Sequence, residues 1–462
     1  MKKRNRVAIL NIISTFLLKG ISIFTAPIFS RLLGTSGYGV MSTYNIWVGL
    51  VSTIGTSQTQ ITIPNARIEY PIEDQRRYQS SIMGLSVTLF ACVSFLVLAM
   101  LPWVSDLLKL SPMLIGLLLV HSFGSFCVAF LNTKFIYELK AGRNMITSVL
   151  VTLSTLALSL ILVLQLPKEI NYYGRIWGNA LVYGILGISI CVWVLSSGKT
   201  YFSRKYWRFA LVLAIPLALQ SLSDQLLGHS DLLMLRHMKG DSVGGMYGLA
   251  YNFAGIMFAI FTALNNSWTP FFFEENRLGH REQVVHQAGN FAELYTVLSA
   301  GFILLALEVF KVFAGREFWE GSKVIPVFVT SYYLNFLCTL PVNYEYYHKK
   351  TNMVAAATIL AAFLNIGINA LLIPRFGIMG AAVASCISHG IQFALHYSYA
   401  RSRLGRDAYP FKLGLWGKYA LLYGAVVTLV YLAWDLWFLR WGLGALLGIW
   451  ELWRIKKRGA LI

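Results

Sequence analysis

Charged residues are scarce in this sequence. They make up 13% of its 462 residues, whereas hydrophobic residues make up 56% and the mean hydropathy is +0.60. A soluble chain has roughly 25% charged residues. The length alone would suit about three soluble domains of ~150 residues each, but so few charges could not cover their surfaces. The composition therefore predicts an all-α integral membrane protein with no sizeable soluble domain.

Sequence patterns typical of enzymes and of structural metal sites are absent too. The strings GxxxxGK[ST], HExxH and GxSxG do not occur. The five cysteines lie in apolar segments and form no CxxC pair: Cys92, Cys127, Cys191, Cys338 and Cys386. The sequence thus predicts a protein that is not an enzyme and binds no structural metal or organic cofactor.

Apolar runs predict fourteen membrane spans, each near the length of about 20 residues that a bilayer requires. Their approximate bounds are 7–29, 39–60, 81–104, 113–135, 144–166, 175–197, 209–235, 244–266, 291–313, 322–345, 353–373, 379–400, 418–434 and 436–453. We predict a six-helix lobe over residues 1–200, a second over 201–405, and two further helices with a cytoplasmic tail over 406–462.

The basic residues indicate an orientation. With the N-terminus inside, the inner loops and span ends hold 27 Lys and Arg residues and the outer ones hold 11. Cytoplasmic loops of membrane proteins are enriched in these residues, so both termini are predicted to be cytoplasmic. The net charge of +19 is then mainly a topology signal. No basic domain remains to bind nucleic acid, and the lipid bilayer is the expected partner.

The two predicted lobes share a weak internal repeat. Four positions recur at offsets of 207 or 208: Glu138, Asn144, Met145 and Pro167 match Glu345, Asn352, Met353 and Pro374. The offset covers six helices, an even number, so both copies would have the same orientation in the membrane. Parallel repeats around a central cavity are typical of transporters that work by alternating access, with the substrate site near the midplane.

Two charges stand near the middle of predicted spans, where a charge is costly. Lys19 lies in span 1 and Asp224 in span 7, and they differ by 205 positions. Gln220 and Asp231 share the helical face of Asp224. A polar face must meet protein or water, so these residues are predicted to line a wet cavity. The alternative is that Lys19 and Asp224 neutralise each other in a static interface.

Uncharged polar residues add further candidates. Asn45 in span 2 and Asn252 in span 8 suit contacts with sugar hydroxyls, and they equally suit plain helix–helix contacts. His121 in span 4 could titrate near neutral pH. It joins Asp224 and Asp231 as a candidate for ion coupling, the alternative being a hydrogen-bonded packing residue.

Three segments together suggest a family. Pro27 to Gly39 (PIFSRLLGTSGYG), Ser230 to Asn252 and Leu364 to Ser385 (LNIGINALLIPRFGIMGAAVAS) follow one another in the expected order. The chain resembles polysaccharide biosynthesis flippases of the Wzx type over its first ~400 residues. Their superfamily also contains the lipid II flippase MurJ and multidrug exporters of the MATE type.

The resemblance implies a flippase that moves an undecaprenyl-diphosphate-linked oligosaccharide to the outer leaflet of a bacterial cytoplasmic membrane. It implies possible coupling to H⁺ or Na⁺, and a polysaccharide polymerase machinery as a possible partner. Lys19 and Arg31 become candidate diphosphate contacts, followed by Arg143. Spans 13 and 14 become a candidate groove for the lipid tail.

Other functions stay open at this point. One is a lipid II flippase or a MATE-type cation antiporter of the same superfamily. A cation exporter requires acids in its N-terminal lobe, where this chain offers Lys19 and no deep acid, so an anionic substrate is favoured. Another is a membrane scaffold for polysaccharide assembly, which would not need charges at the midplane.

Overall fold

The structure is a computed structural model that describes residues 2–403, 411 and 413–458, with side chains described from residue 25 onward except at 415 and 458. The α-helices are α1 (Lys2–Thr56), α2 (Ile63–Glu69), α3 (Gln75–Ala99), α4 (Leu101–Leu108), α5 (Pro112–Tyr137), α6 (Ala141–Gln165), α7 (Tyr172–Gly198), α8 (Arg204–Lys239), α9 (Asp241–Leu278), α10 (Arg281–Phe313), α11 (Ile325–Tyr347), α12 (Thr351–Arg403), α13 (Leu413–Leu432) and α14 (Trp437–Arg458). Three 3₁₀ helices cover Thr59–Thr62, Ile72–Asp74 and Arg316–Val324.

Two of the long helices are each divided by a glycine. Gly34 breaks α1 with φ 66° and ψ 178°, and Gly377 breaks α12 with φ 54° and ψ −129°. Residues with a Cβ are strongly disfavoured in these conformations, so each break requires glycine. Twelve long helices, two of them divided, give fourteen helical segments within the described residues, and these follow the fourteen predicted spans in order.

All the regular secondary structure in the described part of the chain is helical, and that part contains no strand. Nine helical regions in it are long and apolar enough to cross a membrane, with hydropathy between 1.4 and 2.4 in their best windows. In lipid, helices satisfy their own backbone hydrogen bonds, which explains why such a sequence forms no open sheet. The predicted fold class, an all-α membrane protein, is confirmed.

The chain forms two compact units, residues 1–226 and residues 227–462. We call them unit 1 and unit 2. The border lies within α8, whereas the sequence places the lobe border between α7 and α8. The first half of α8 belongs to unit 1 because it is hydrogen-bonded to α1 and to the turn that follows α1. Gln225 Nε2 donates to Thr53 Oγ1 at 3.0 Å, and Ser221 Oγ donates to Gln58 Oε1 at 3.3 Å.

Unit 1 is built on a close crossing of α5 and α7. A Cβ on Gly187 would lie 2.6 Å from Gly124 Cα, and a Cβ on Gly124 would lie 2.2 Å from the Tyr183 carbonyl oxygen. Small residues let membrane helices approach this closely. Phe126, Cys127 and further apolar side chains from neighbouring helices form the adjoining buried cluster.

This crossing gives a stability prediction. Gly124→Ala should lower the free energy of unfolding by about 1–3 kcal/mol, since the added methyl meets backbone atoms that cannot move aside easily. Gly116→Ala, in the same helix, is the matched control because nothing lies within 4 Å of its Cβ. Thermal unfolding of the detergent-purified variants measures both. Equal melting temperatures would show that α5 and α7 do not cross at Gly124.

Local backbone conformations recur between the units. Gly34 and Gly240 are 206 positions apart, and both combine a positive φ with ψ near 180° (φ 66° and 94°). Leu139 and Lys349, in the turns before α6 and α12, both have positive φ (57° and 59°). These two are 210 positions apart, three more than the offset of 207 that the sequence gives between Glu138 and Glu345.

Candidate functional site

The predicted residues of unit 1 differ in their exposure. The backbone of Lys19 lies in α1, but its side chain is not among the side chains that the structure describes. Arg31 and Asn45 in α1 and Arg143 in α6 are exposed on unit 1. His121, on α5, is 4% exposed. Arg31, Asn45 and Arg143 are therefore available at a surface, whereas His121 belongs to the interior.

The predicted polar face of α8 passes through two environments. Gln220 is half-buried and Asp224 is exposed, whereas Asp231, seven residues further on, is 2% exposed. The burial arises because the second half of α8 packs against α12, with Leu227 in that contact. Asn252, on α9, is exposed. The sequence treats the face of α8 as one wet stripe, but only Asp231 lies in the interior.

Three donors from unit 2 surround the Asp231 carboxylate. Tyr247 OH, on α9, donates to Oδ2 at 2.5 Å, and Ser385 Oγ, on α12, donates to the same oxygen at 3.1 Å. The Leu232 N–H donates to Oδ1 at 2.7 Å. None of the described residues forms a salt bridge with Asp231. A buried charge is costly unless it is hydrogen-bonded or paired, so these donors partly offset the cost of burying it.

A second layer of side chains continues from Ser385. Asn365 Nδ2 donates to Ser388 Oγ at 3.2 Å and approaches Ser385 Oγ at 3.5 Å. Its Oδ1 accepts from Ser230 Oγ and from Asn369 Nδ2, both at 2.8 Å. Asn369 Oδ1 is buried and has no hydrogen-bond partner among the described residues. We call this set the Asp231 network: Ser230, Asp231, Tyr247, Asn365, Asn369, Ser385 and Ser388.

The Asp231 network is suited to a small hard cation. It combines one carboxylate with amide and hydroxyl oxygens, which are the ligand types that hard cations prefer. A single carboxylate is balanced by one positive charge, so H⁺ or Na⁺ fits the donor set better than a divalent ion. No cluster of three or more His, Cys, Asp or Glu side chains occurs among the described residues.

The structure also contains buried charges that the sequence reading missed. Arg454 on α14 pairs with Glu293 on α10 and lies 3.3 Å from Glu451 on its own helix. Tyr419 OH, on α13, donates to Glu293 Oε2 at 2.9 Å. Glu293 and Glu451 fall inside predicted spans, so a count of every acid within the spans would have found them. The partners of Glu293, Tyr419 and Arg454, are 126 or more positions away from it along the chain, and a sequence does not reveal such contacts.

A second ion pair joins the same helices. Arg440, on α14, is 1% exposed and pairs with Glu308 on α10, and Trp441 Nε1 donates to Glu308 Oε2 at 3.1 Å. Arg440 falls inside the predicted span 436–453, but it was not selected as a candidate site residue from the sequence. These contacts hold α14 against α10, and the predicted lipid-tail groove at spans 13 and 14 must be compatible with that packing.

Unit 2 contains one more buried acid. Glu345 on α11 and His396 on α12 are both fully buried, and His396 Nδ1 lies 3.0 Å from Glu345 Oε1. The bond links the two helices. Neither His396 nor Glu345 is among the candidate site residues that the sequence indicates.

The long helices of unit 1 and unit 2 differ in charge. Helices α1, α3, α5, α6 and α7 contain no Asp or Glu, although they carry several Lys and Arg residues. In unit 2, acids occur in the interior at Asp231, Glu293 and Glu345. These five helices are therefore suited to anions, and the half of α8 that belongs to unit 1 adds one exposed acid, Asp224. Unit 2 contains the site suited to a cation.

Comparisons with known proteins give a family and a fold. The family described as "Polysaccharide biosynthesis protein" matches residues 6–275. A curated relative, the probable low-salt glycan biosynthesis flippase Agl15 of Haloferax volcanii, is 28% identical over 102 residues, which are 22% of each chain. That match spans about a fifth of the relative's length.

Solved membrane proteins share the architecture. The lipid II flippase MurJ in an inward closed conformation matches with a TM-score of 0.73 and 16% identity, over 97% of this chain and 99% of that one. An inward-facing multidrug resistance MATE family transporter of the MOP superfamily matches with a TM-score of 0.62 and 16% identity, over 84% and 94% of the two chains. At such identities the likeness concerns the fold alone.

Proposed function

The chain belongs to the polysaccharide biosynthesis protein family, and on that premise we propose that it is a flippase. Its substrate is an undecaprenyl-diphosphate-linked oligosaccharide, which it moves from the inner to the outer leaflet for cell-surface polysaccharide synthesis. Family membership and the MurJ-like fold support a membrane transporter, and we expect no catalytic turnover. The protein would alternate between states open to either side of the membrane.

The charge of unit 1 is the observation that carries this substrate class. A diphosphate brings negative charge into the membrane, and its transfer requires cations without competing carboxylates. Helices α1, α3, α5, α6 and α7 satisfy that condition, since they contain basic residues and no acid, and Asp224 on the unit 1 half of α8 lies outside them. Lys19 and the exposed Arg31 are the proposed diphosphate contacts, with Arg143 as a further candidate. A guanidinium and an ammonium both bind phosphate oxygens.

Exposed uncharged groups are the proposed sugar contacts. Asn45 on α1 and Asn252 on α9 present amides at the surface of their units, and Gln220 on α8 is half-buried. Amides donate and accept hydrogen bonds and therefore suit hydroxyl-rich chains. After translocation, a polysaccharide polymerase machinery would take up the oligosaccharide.

The Asp231 network is the proposed ion-coupling site. The network supplies one negative charge and several oxygen ligands from α8, α9 and α12. Binding of H⁺ or Na⁺ would neutralise the carboxylate and bias unit 2 toward one conformation, as a ligand with differential affinity for two states does. Asp224 and His121 remain secondary candidates, the first because it is exposed and the second because it lies in the basic unit 1.

The observed charges disfavour a cation exporter. Such a protein needs acids in its N-terminal helices, and none occurs in α1, α3, α5, α6 or α7. A static scaffold would have no need for the buried carboxylate of Asp231, which costs stability and forms no ion pair within the described residues. The cation exporter therefore leaves the basic residues of these helices unexplained, and the static scaffold leaves Asp231 unexplained.

A gene deletion in the source organism tests the proposal. We expect the undecaprenyl-diphosphate-linked oligosaccharide to accumulate in the inner leaflet and the surface polysaccharide to disappear, with restoration by the plasmid-borne gene. A deletion strain with normal surface polysaccharide and a raised sensitivity to cationic drugs would contradict the proposal and favour the exporter.

The proposed location is the bacterial cytoplasmic membrane, with both termini in the cytoplasm. Reporter fusions at Lys109 and Arg375 should then be external, and a fusion at Lys205 should be internal, as the bias of basic residues requires. Alkaline phosphatase activity, which develops only outside, distinguishes the two. The reverse pattern would overturn the orientation.

A further inference from the structure

Unit 1 contains a half-buried arginine, Arg175, that forms no salt bridge with any acid among the described residues. Arg175 lies near the start of α7, and its Cζ is 4.1 Å from the centre of the Phe29 ring. Its Nε and Nη1 are buried and have no hydrogen-bond partner among the described residues. Helices α1, α5 and α7 contain no Asp or Glu. Arg175 is the first residue of the predicted span 175–197, and it was not selected as a candidate site residue from the sequence.

Other unpartnered polar groups lie in the same part of unit 1. The His121 ring is 5.8 Å from that of Tyr44 and 4.8 Å from that of Tyr183. Arg175 is close enough to His121 and Tyr183 for electrostatic interaction. The Tyr44 hydroxyl and His121 Nδ1 are buried without hydrogen-bond partners within the described residues. Three helices thus contribute polar groups to one region, and its formal charge is positive.

The geometry points to a binding site for a carboxylate group among Arg175, Tyr44 and His121, and we propose that unit 1 binds one there. A guanidinium has two edges, Nε–Nη2 and Nη1–Nη2, each of which presents two parallel N–H groups that match the two oxygens of a carboxylate, and each edge of Arg175 includes one of the two unpartnered nitrogens. The Tyr44 hydroxyl and an N–H of His121 can donate to the same group. A buried charge and buried donors without partners are both costly, and a bound carboxylate removes both costs.

Among the three residues of the site, only Arg175 connects it with the surface, and the ligand of the site has two conceivable sources. The Arg175 side chain as a whole is partly exposed, although Nε and Nη1 are not. A carboxylate could be a free ion from solution or the acidic group of a uronic acid in a sugar chain. The phenyl ring of Phe29 covers one face of the guanidinium, which leaves its edge for the ligand. The inference does not depend on the proposed transport activity.

Thermal unfolding of the purified full-length protein tests the site. The sodium salts of formate, glucuronate and chloride are titrated at constant ionic strength. The variants are Arg175→Gln, Tyr44→Phe and, as the matched control, Arg208→Gln, which removes an exposed arginine of unit 1. Tyr44→Phe keeps the aromatic ring and removes one donor, so it tests the site even if Arg175→Gln does not fold.

We expect formate to raise the melting temperature saturably in the wild type and in Arg208→Gln. The response to formate should vanish in Arg175→Gln. In Tyr44→Phe, half-saturation should need about tenfold more formate, because one hydrogen bond to a charged group has been removed. A matching response to glucuronate would assign the site to sugar carboxylates, and a response to formate alone to the free ion. Equal responses of wild type and Tyr44→Phe, an equal effect of chloride, or no saturable response would overturn the proposal.

Discussion

Asp231→Asn is expected to abolish ion-coupled transport while leaving the protein folded in the membrane. A carboxylate and a monovalent cation about 4 Å apart interact by ~4 kcal/mol at an effective dielectric constant of about 20, which corresponds to roughly a thousandfold in affinity. Asparagine keeps an oxygen that can accept from Tyr247 and Ser385, so the packing of α8 against α9 and α12 should persist. The measurement is transport in proteoliposomes under an imposed Na⁺ or pH gradient.

The control for this variant is Asp435→Asn, which changes an exposed carboxylate in the turn between α13 and α14. It should transport at the wild-type rate. The gradient that drives the wild type identifies the coupling ion. Undiminished transport by Asp231→Asn under that gradient would remove the Asp231 network from the coupling mechanism.

Arg454→Met should produce the largest loss of stability. The arginine stands between the buried carboxylates of Glu293 on α10 and Glu451 on α14. Removing it leaves two acids without their cation, and breaking a buried ion pair from one side costs about 3–5 kcal/mol. We expect most of the variant to be lost from the membrane fraction, and the remainder to unfold at a clearly lower temperature in detergent.

A second substitution distinguishes charge from packing. Glu293→Gln added to Arg454→Met removes one of the two carboxylates that lose the arginine, and its amide can still accept from Tyr419 OH. The double variant should recover part of the lost stability. Lys456→Met, which removes an exposed charge from the same helix, should behave as the wild type. If the single Arg454 variant were as stable as the wild type, the Glu293 contact would not anchor α14.

The helices were accessible from sequence because a bilayer imposes a length and a polarity on every span. Even the divided helices followed the prediction: two separate apolar runs predicted two spans on either side of Gly34, where the backbone turns at a conformation that glycine permits. The register of the repeat was less accurate. Matching Glu138 with Glu345 gives an offset of 207, but the equivalent turns lie 210 apart because residues with the same name need not occupy the same place in a turn.

The candidate site was accessible only in part. The carboxylate of Asp231 could be selected from the sequence because a charge within a span is rare. Its environment could not, since Ser385 is 154 positions away and only the fold brings it within 3.1 Å. The same holds for Asn365. Arg175 was overlooked for another reason. It lies near one end of a helix, and the depth of such a residue in the membrane cannot be assigned until the helix boundary is known.

The most direct test of the central claim is a translocation assay with the purified protein. A fluorescent undecaprenyl-diphosphate-linked oligosaccharide is placed in the inner leaflet of proteoliposomes, and a glycosidase added outside reports its arrival. Our account predicts that the wild type exposes the sugar under the coupling gradient and that Asp231→Asn does not. Absence of exposure with the wild type, under either a Na⁺ or a pH gradient, would contradict the assignment of this chain as a flippase for lipid-linked oligosaccharides.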